Sequence, residues 1–196
     1  ADDSPASAPA SGRSGAPRRA AAAALPPELV LGEDVLGRVV SRIEKAKRIA
    51  LELHTTTPDK HAGPVLGLGL AIDDGSSFYF PFEHRYVGAP VQLAPAVVWS
   101  ALSLLGAPSE RELVVQDKKR QLVLASATNA PELSRALESA KDTLLGSYLL
   151  DPERNHSLAE LGHRHGVPVV DADAVHKEGR KKRDFDVVQL DEALPY

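Results

Sequence analysis

The chain contains no cysteine and no methionine, and only nine aromatic residues. Without cysteine there is no disulfide framework, no Cys-ligated zinc or iron-sulfur centre and no thiol nucleophile, and a reducing compartment suits the composition better than secretion. Without methionine the sequence does not start at an initiation site, so we expect a piece of a longer protein. Residue 1 is Ala, and nothing near it has the basic and apolar regions of a signal peptide. Apolar runs are also short, far below the ~20 residues a bilayer span needs. The formal charge is -4, which does not argue against a polyanion partner, since local positive charge can bind one even on an acidic domain.

Residues 1 to 24 read ADDSPASAPASGRSGAPRRAAAAA, with ten Ala and no larger apolar residue. Such a segment cannot bury enough surface to offset its ordering entropy, so 1–27 is expected to be a disordered Ala/Pro/Ser/Arg linker. From residue 28 to 196 the composition is that of a folded domain, which we expect to be truncated at its C-terminal end.

Val35, Leu36, Val39, Val40 and Ile43 fall on one helical face after Glu33 and Asp34, predicting a helix over 33–45. Strands are expected at 49–53, 65–72 and 77–82, the last two joined by an Asp-Asp-Gly turn, and together they make an antiparallel meander. Five of the nine aromatics lie between Phe78 and Tyr86. A helix is expected over 93–105 with Trp99 on its core face, a strand at 112–115 and a helix over 117–125. Two more helices follow at 141–150 and 157–165, with a possible fifth strand near Lys141. Residues 167–184 read as polar and irregular, and 188–194 as the start of a last helix. A meander followed by helices implies an α/β domain with a mixed sheet.

Gly67 and Gly69 lie inside a strand with no helix start behind them, which excludes a dinucleotide fingerprint. His163 and His165 are about 200° apart on a helix and do not chelate one ion from the same face. The run KEGRKKR, Lys177 to Arg183, is the strongest cationic feature. Its Arg180, Lys181, Lys182 and Arg183 are candidate phosphate contacts, weighed against a solvated loop.

The segment LGLGLAIDDGSSFYFPFEHRYVGAPVQL, Leu66 to Leu93, resembles the second and third strands of the 3′-to-5′ exonuclease domain of bacterial family A DNA polymerases, the DNA polymerase I type. The matching positions are Gly67, Ala71, Gly75, Tyr79, Pro81, His84, Gly88, Ala89, Pro90, Gln92 and Leu93. The stretch Asp142 to Gly166 is similar to that family's Asp-Thr-x-Leu-x-Ser-Tyr and Ser-Leu-Ala-Glu helices. Leu190 to Tyr196 looks like the lead into its third motif, whose Tyr is Tyr196. The resemblance implies a ribonuclease H-like domain, a five-stranded mixed sheet flanked by helices.

It also implies a parent enzyme for DNA replication and repair. Its polymerase domain would adjoin this one, with DNA as partner, Mg²⁺ for polymerisation and a cytoplasmic, nucleoid-associated location. An active exonuclease of this family holds two divalent ions on converging carboxylates. By the resemblance Glu52 stands at the family's first Asp, His54 at its Glu and Gln121 at the second-motif Asp. Asp117 stands where the family has Asn, and the third-motif Asp falls four residues beyond Tyr196. The expectation is a degenerate site with no cofactor of its own and no confident metal ligand, Glu52 and Asp117 being the nearest candidates. An active nuclease using Glu52, His54 and Asp117 with Mn²⁺ or Zn²⁺, and a stand-alone nucleic-acid binding module of the same fold, are the alternatives.

Overall fold

The computed structural model describes residues 24–56, 64–107, 110–170, 177–178 and 181–195, with the backbone alone at 177, 178, 181 and 182. Most of the expected linker, with Arg180 and Tyr196, therefore lies outside the described residues.

The first helix, α1 (Glu33–Ile43), buries Leu36, Val39 and Ile43, spaced three and four apart. Its first turn carries Glu33 and Asp34 and its last Arg42, charges that complement the helix dipole. Strand β2 (Arg48–Thr55) alternates, with Ile49, Leu51 and Leu53 buried, and runs antiparallel to β3 (Val65–Ile72), which in turn pairs antiparallel with β4 (Ser77–Pro81). The meander is thus as the alternation predicts.

On its other side β2 pairs in parallel with β5 (Glu112–Val115), and β5 with the two-residue β6 (Lys141–Asp142). A further short strand, β1 (Glu28–Leu29), pairs in parallel with β4. The sheet order is β1-β4-β3-β2-β5-β6, mixed, with six strands where five were expected. The extra one is β1, two residues recruited to the free edge of β4, too short to show a period of two.

Between β4 and β5 the chain forms α2 (Pro95–Ala101) and a 3-10 turn over Leu102–Gly106, so the helix expected over 93–105 tightens in its second half. Then come α3 (Lys118–Ser126) and α4 (Pro131–Ser139). The second of these was not anticipated. Its signals are Pro131 in the first turn and Leu133, Ala136 and Leu137 buried on one face. Lys141 and Asp142, expected to open a helix, pair as β6, and the helix α5 is Thr143–Leu150. Helix α6 (Leu158–His165) is capped by the Ser157 hydroxyl and ends at Gly166 in the left-handed region, φ 67°.

Within 167–184, read as irregular, Lys177–Glu178 (β7) and Lys181–Lys182 (β8) pair as an antiparallel ribbon, with Lys177 opposite Lys182. A 3-10 turn at Phe185–Val187 leads to α7 (Leu190–Ala193).

One face of the sheet presents Ile49, Leu51, Leu53, Leu68, Leu70, Phe78 and Phe80 to α1, α2, α3 and α4. Trp99 packs against this core and meets Phe82 edge-on at 5.0 Å, a core role as expected. Because side chains alternate across a strand, Glu52, His54 and Tyr79 face the opposite way. There a second cluster forms from Leu66, Tyr79, Phe185, Val188, Leu190 and Ala193. No helix among the described residues is long and apolar enough to cross a membrane.

Candidate functional site at the carboxyl end of strand β2

Strand β2 pairs with β5 only through Arg48, Ile49 and Ala50, and the two strands then part. A crevice where neighbouring strands diverge is where α/β sheets place ligand sites. Glu52, His54, Asp117 and Gln121 all border this strand end or the turn into α3 beyond it.

Gln121 is fully buried, and its Oε1 accepts the Leu53 backbone N–H at 2.8 Å. The amide oxygen replaces the strand partner that β5 no longer provides. Gln121 Nε2 is buried without a hydrogen-bond partner. One residue before it, Arg120 reaches the other side of the strand, where its Nη1 lies 3.6 Å from Glu52 Oε1. Arg120 is 17% exposed and Glu52 32%, and Arg120 Nε is buried without a partner. Burial pushes the Glu52 carboxyl above the ordinary carboxylate range, and the Arg120 guanidinium opposes that shift.

His54 lies over Gly69, opposite the Phe185 ring. The imidazole and Phe185 are stacked at 5.3 Å and 21°, and Tyr79 meets His54 edge-on at 5.7 Å. The two strand glycines make this possible. A Cβ at Gly69 would come 3.3 Å from His54 Nε2, and one at Gly67 would collide with the Tyr79 phenol. These glycines form the floor for two rings, which agrees with the exclusion of a phosphate loop.

Tyr79 and His84 extend the cluster. Tyr79 Oη is 2.8 Å from His84 Nε2, and His84 Nδ1 is 3.0 Å from the Val188 carbonyl oxygen. An acceptor at Nδ1 requires that nitrogen to carry the proton, so Nε2 accepts from the Tyr79 hydroxyl. Burial holds the Tyr79 phenol protonated and pushes His84 below the ordinary imidazole value, against the Val188 carbonyl and Asp186. The segment from Phe185 is tied down further: Phe185 N donates to Thr56 O at 2.8 Å, and Arg85 pairs with Asp186 at 2.9 Å.

Asp117 does not join Glu52. It caps α3, accepting from Arg120 N at 3.2 Å, and has φ 56°, the single non-glycine positive φ among the described residues. Its own N–H and that of Lys118 donate to Asp142, whose carboxylate also receives Leu144 N at 2.9 Å. Among the described residues no group of three or more His, Cys, Asp or Glu side chains converges to hold a metal. Of the basic run, Arg183 forms an ion pair with Glu192. His163 and His165 are exposed in the last turn of α6. A cleft of about 600 Å³ lined in part by Val65, Trp99, Ser103, Thr128 and Asn129 contains none of the predicted ligands.

Sequence reasoning missed Arg120 and Phe185. The signal for Arg120 was its place directly before Gln121; for Phe185 there was none, because its contacts are with distant residues.

No known family profile matches the chain. Over 171 residues, 86% of its length, it is 28% identical to DNA polymerase I of Pseudomonas aeruginosa, of which it spans 18%. Among solved structures it is similar to the Nibbler EXO domain of Aedes aegypti, with a TM-score of 0.56, 16% identity, and coverage of 81% of this chain and 77% of that one. It is also similar to M. smegmatis Pol1, solved as its POL domain with DNA primer-template and dNTP, with a TM-score of 0.51, 18% identity, and coverage of 74% and 23%. The chain has the ribonuclease H-like fold of 3′-to-5′ exonuclease domains, and its sequence resembles bacterial DNA polymerase I.

Proposed function

We propose that the chain is the exonuclease-fold portion of a DNA polymerase I-type protein and that this portion does not hydrolyse DNA. The polymerase resemblance implies two Mg²⁺ ions on converging carboxylates. The residues present do not fit them. Mg²⁺ demands oxygen ligands in near-octahedral array. At this strand end the Gln121 oxygen is engaged by Leu53 N–H, Glu52 faces a guanidinium, and an imidazole packed beside Phe185 stands where a second carboxylate is needed. The observation that carries the reading is the Glu52–Arg120 pair, since a fixed cation beside the remaining carboxylate repels a divalent ion.

The role we assign is structural: supporting a neighbouring polymerase domain, with DNA reaching this portion through the parent enzyme in replication and repair. The polymerase itself would use Mg²⁺, and the location would be cytoplasmic at the nucleoid. An apolar helix supports the neighbour. In α5 no residue is buried, and Leu149 and Leu150 are 74% and 88% exposed. A patch of this kind marks a surface that another surface covers.

The test is degradation of end-labelled single-stranded DNA in Mg²⁺, Mn²⁺ and Zn²⁺. The expected result is no shortening of the strand. Shortening in any of the three that disappears in Glu52→Ala would establish the active nuclease with altered ligands instead.

A further inference from the structure

The cleft of about 600 Å³ bordered by α2 and the α3–α4 turn takes no part in the site at the end of β2. Val65, Pro95, Pro131 and Trp99 line it, together with the carboxylates of Glu83 and Glu132. Trp99 meets Phe82 on its core side and is half-buried, so part of the indole is open to the cleft. Among the described residues no Lys or Arg lines this cleft. Glu132 is held by the neighbouring Arg135, whereas Glu83 is exposed where the chain leaves β4.

Carboxylates without cations repel a polyanion, so nucleic acid is the wrong chemistry for this surface. Tryptophan and proline walls beside a carboxylate suit a basic, proline-bearing segment in polyproline II form. Its proline rings lie on aromatic surface and its cations meet the carboxylate and the indole face. The chain itself carries such a segment: residues 4–19 read SPASAPASGRSGAPRR, with three Pro, three Arg and no acidic residue.

Residues 1–23 lie outside the described residues, but the point at which this stretch enters the fold is fixed. Leu25 N–H donates to the Gly75 carbonyl oxygen at 2.8 Å, at the turn between β3 and β4. From Gly75 along β4 to Glu83 is about 26 Å at the rise of a strand. From Leu25 back to Arg13 the chain spans up to about 37 Å in polyproline II form, so the stretch from Pro9 to Arg13 reaches the cleft. A short tether holds its segment at roughly millimolar effective concentration, so contacts too weak to retain a free peptide suffice.

We propose that this cleft is the seat of the chain's own N-terminal proline- and arginine-bearing segment, with proline against Trp99 and arginine at Glu83. It is an intramolecular contact, separate from the site at the end of β2 and independent of whether that site hydrolyses DNA.

Trp99 is the single tryptophan of the chain and reports on this cleft alone. The test is quenching of its fluorescence by acrylamide in the full chain, with folding of each variant read by circular dichroism. Acrylamide is neutral, so changes of protein charge do not steer it. Arg13→Glu with Arg18→Glu and Arg19→Glu is expected to raise the quenching constant and shift the emission to the red. Glu83→Arg is expected to do the same, and all four substitutions together should restore the protection. Salt at 1 M, where screening acts within about 3 Å, should also raise quenching in the unmodified chain.

Quenching that is unchanged by the triple arginine reversal overturns the inference, and so does failure of the fourfold variant to restore protection. Protection that grows with protein concentration assigns the cleft to the segment of another copy and overturns the intramolecular contact. Each of these results leaves the proposed function standing, because neither the cleft nor the segment contributes to the β2 site.

Discussion

Gln121 shows what a single amide does at a strand end. Its oxygen satisfies the Leu53 N–H beyond the end of the β2–β5 pairing. Gln121→Leu keeps the volume and removes the acceptor, so it is expected to lower stability by about 1–3 kcal/mol, measured by urea denaturation. Gly67 is equally constrained. Any side chain there displaces the Tyr79 phenol from the sheet, and Gly67→Ala is expected to cost about 1–3 kcal/mol in the same measurement, with a matching loss in Gly67→Ser.

His84 links the residue scale to pH. Its imidazole is held below the ordinary value in the folded chain, so the unfolded chain binds the extra proton first. Stability is therefore fully present above the unfolded imidazole pKa of about 6.5 and falls as pH drops from there through the folded value. Thermal melts over that range should show the decline, and His84→Gln should flatten it.

At the scale of elements, much of the architecture could be read in advance, for identifiable reasons. Strands β3 and β5 match expectation because β3 is a long apolar stretch closed by an Asp-Asp-Gly turn and β5 carries Leu113, Val114 and Val115 in succession. Helix α1 matches because its three buried residues recur at helical spacing. Helix α4 went unread because two of the buried positions in PELSRALES are Leu and the third is Ala, so its apolar stripe is weak and the Pro131 start signal needed more weight. Strands β1 and β6 are two residues each, too short for any periodicity to register. At the candidate site, the identities at 52, 54 and 121 were legible through the resemblance. The ring stacking of His54 on Phe185 was not, since no local pattern ties two residues in different elements.

Asp142 acts on three elements together. It belongs to β6, caps α5, and accepts the N–H groups of Asp117 and Lys118 at the entrance to α3. Asp142→Ala should cost about 0.5–2 kcal/mol for the cap alone, and more because the α3 entrance loses its acceptor as well. Hydrogen exchange should then show faster opening at both helix starts, whereas Ser157→Ala should loosen α6 only.

For the whole molecule, the two sheet faces differ in construction. One is closed by four helices contributed by sequence close to the strands, while the other is covered by the 185–193 segment. Outside both cores lies α5 with Leu145, Tyr148, Leu149 and Leu150 exposed. Because these side chains add nothing to the described core, Leu149→Lys with Leu150→Glu is expected to leave the melting temperature within a few degrees. The same pair should reduce self-association measured by light scattering as concentration rises.

The tie between His84 and Val188 spans 104 residues of chain. A ribosome delivers the N-terminal part first, so β2, β3 and β4 leave the exit tunnel with His54 and Tyr79 facing water until residues 185–190 have been made. During that interval the helical side is able to close while the aromatic side stands open, a nascent surface on which a chaperone or a wrong strand has its opportunity. Order of synthesis thus makes Phe185 the latch of this aromatic cluster, the last of its rings to arrive and the one whose arrival ends the exposure.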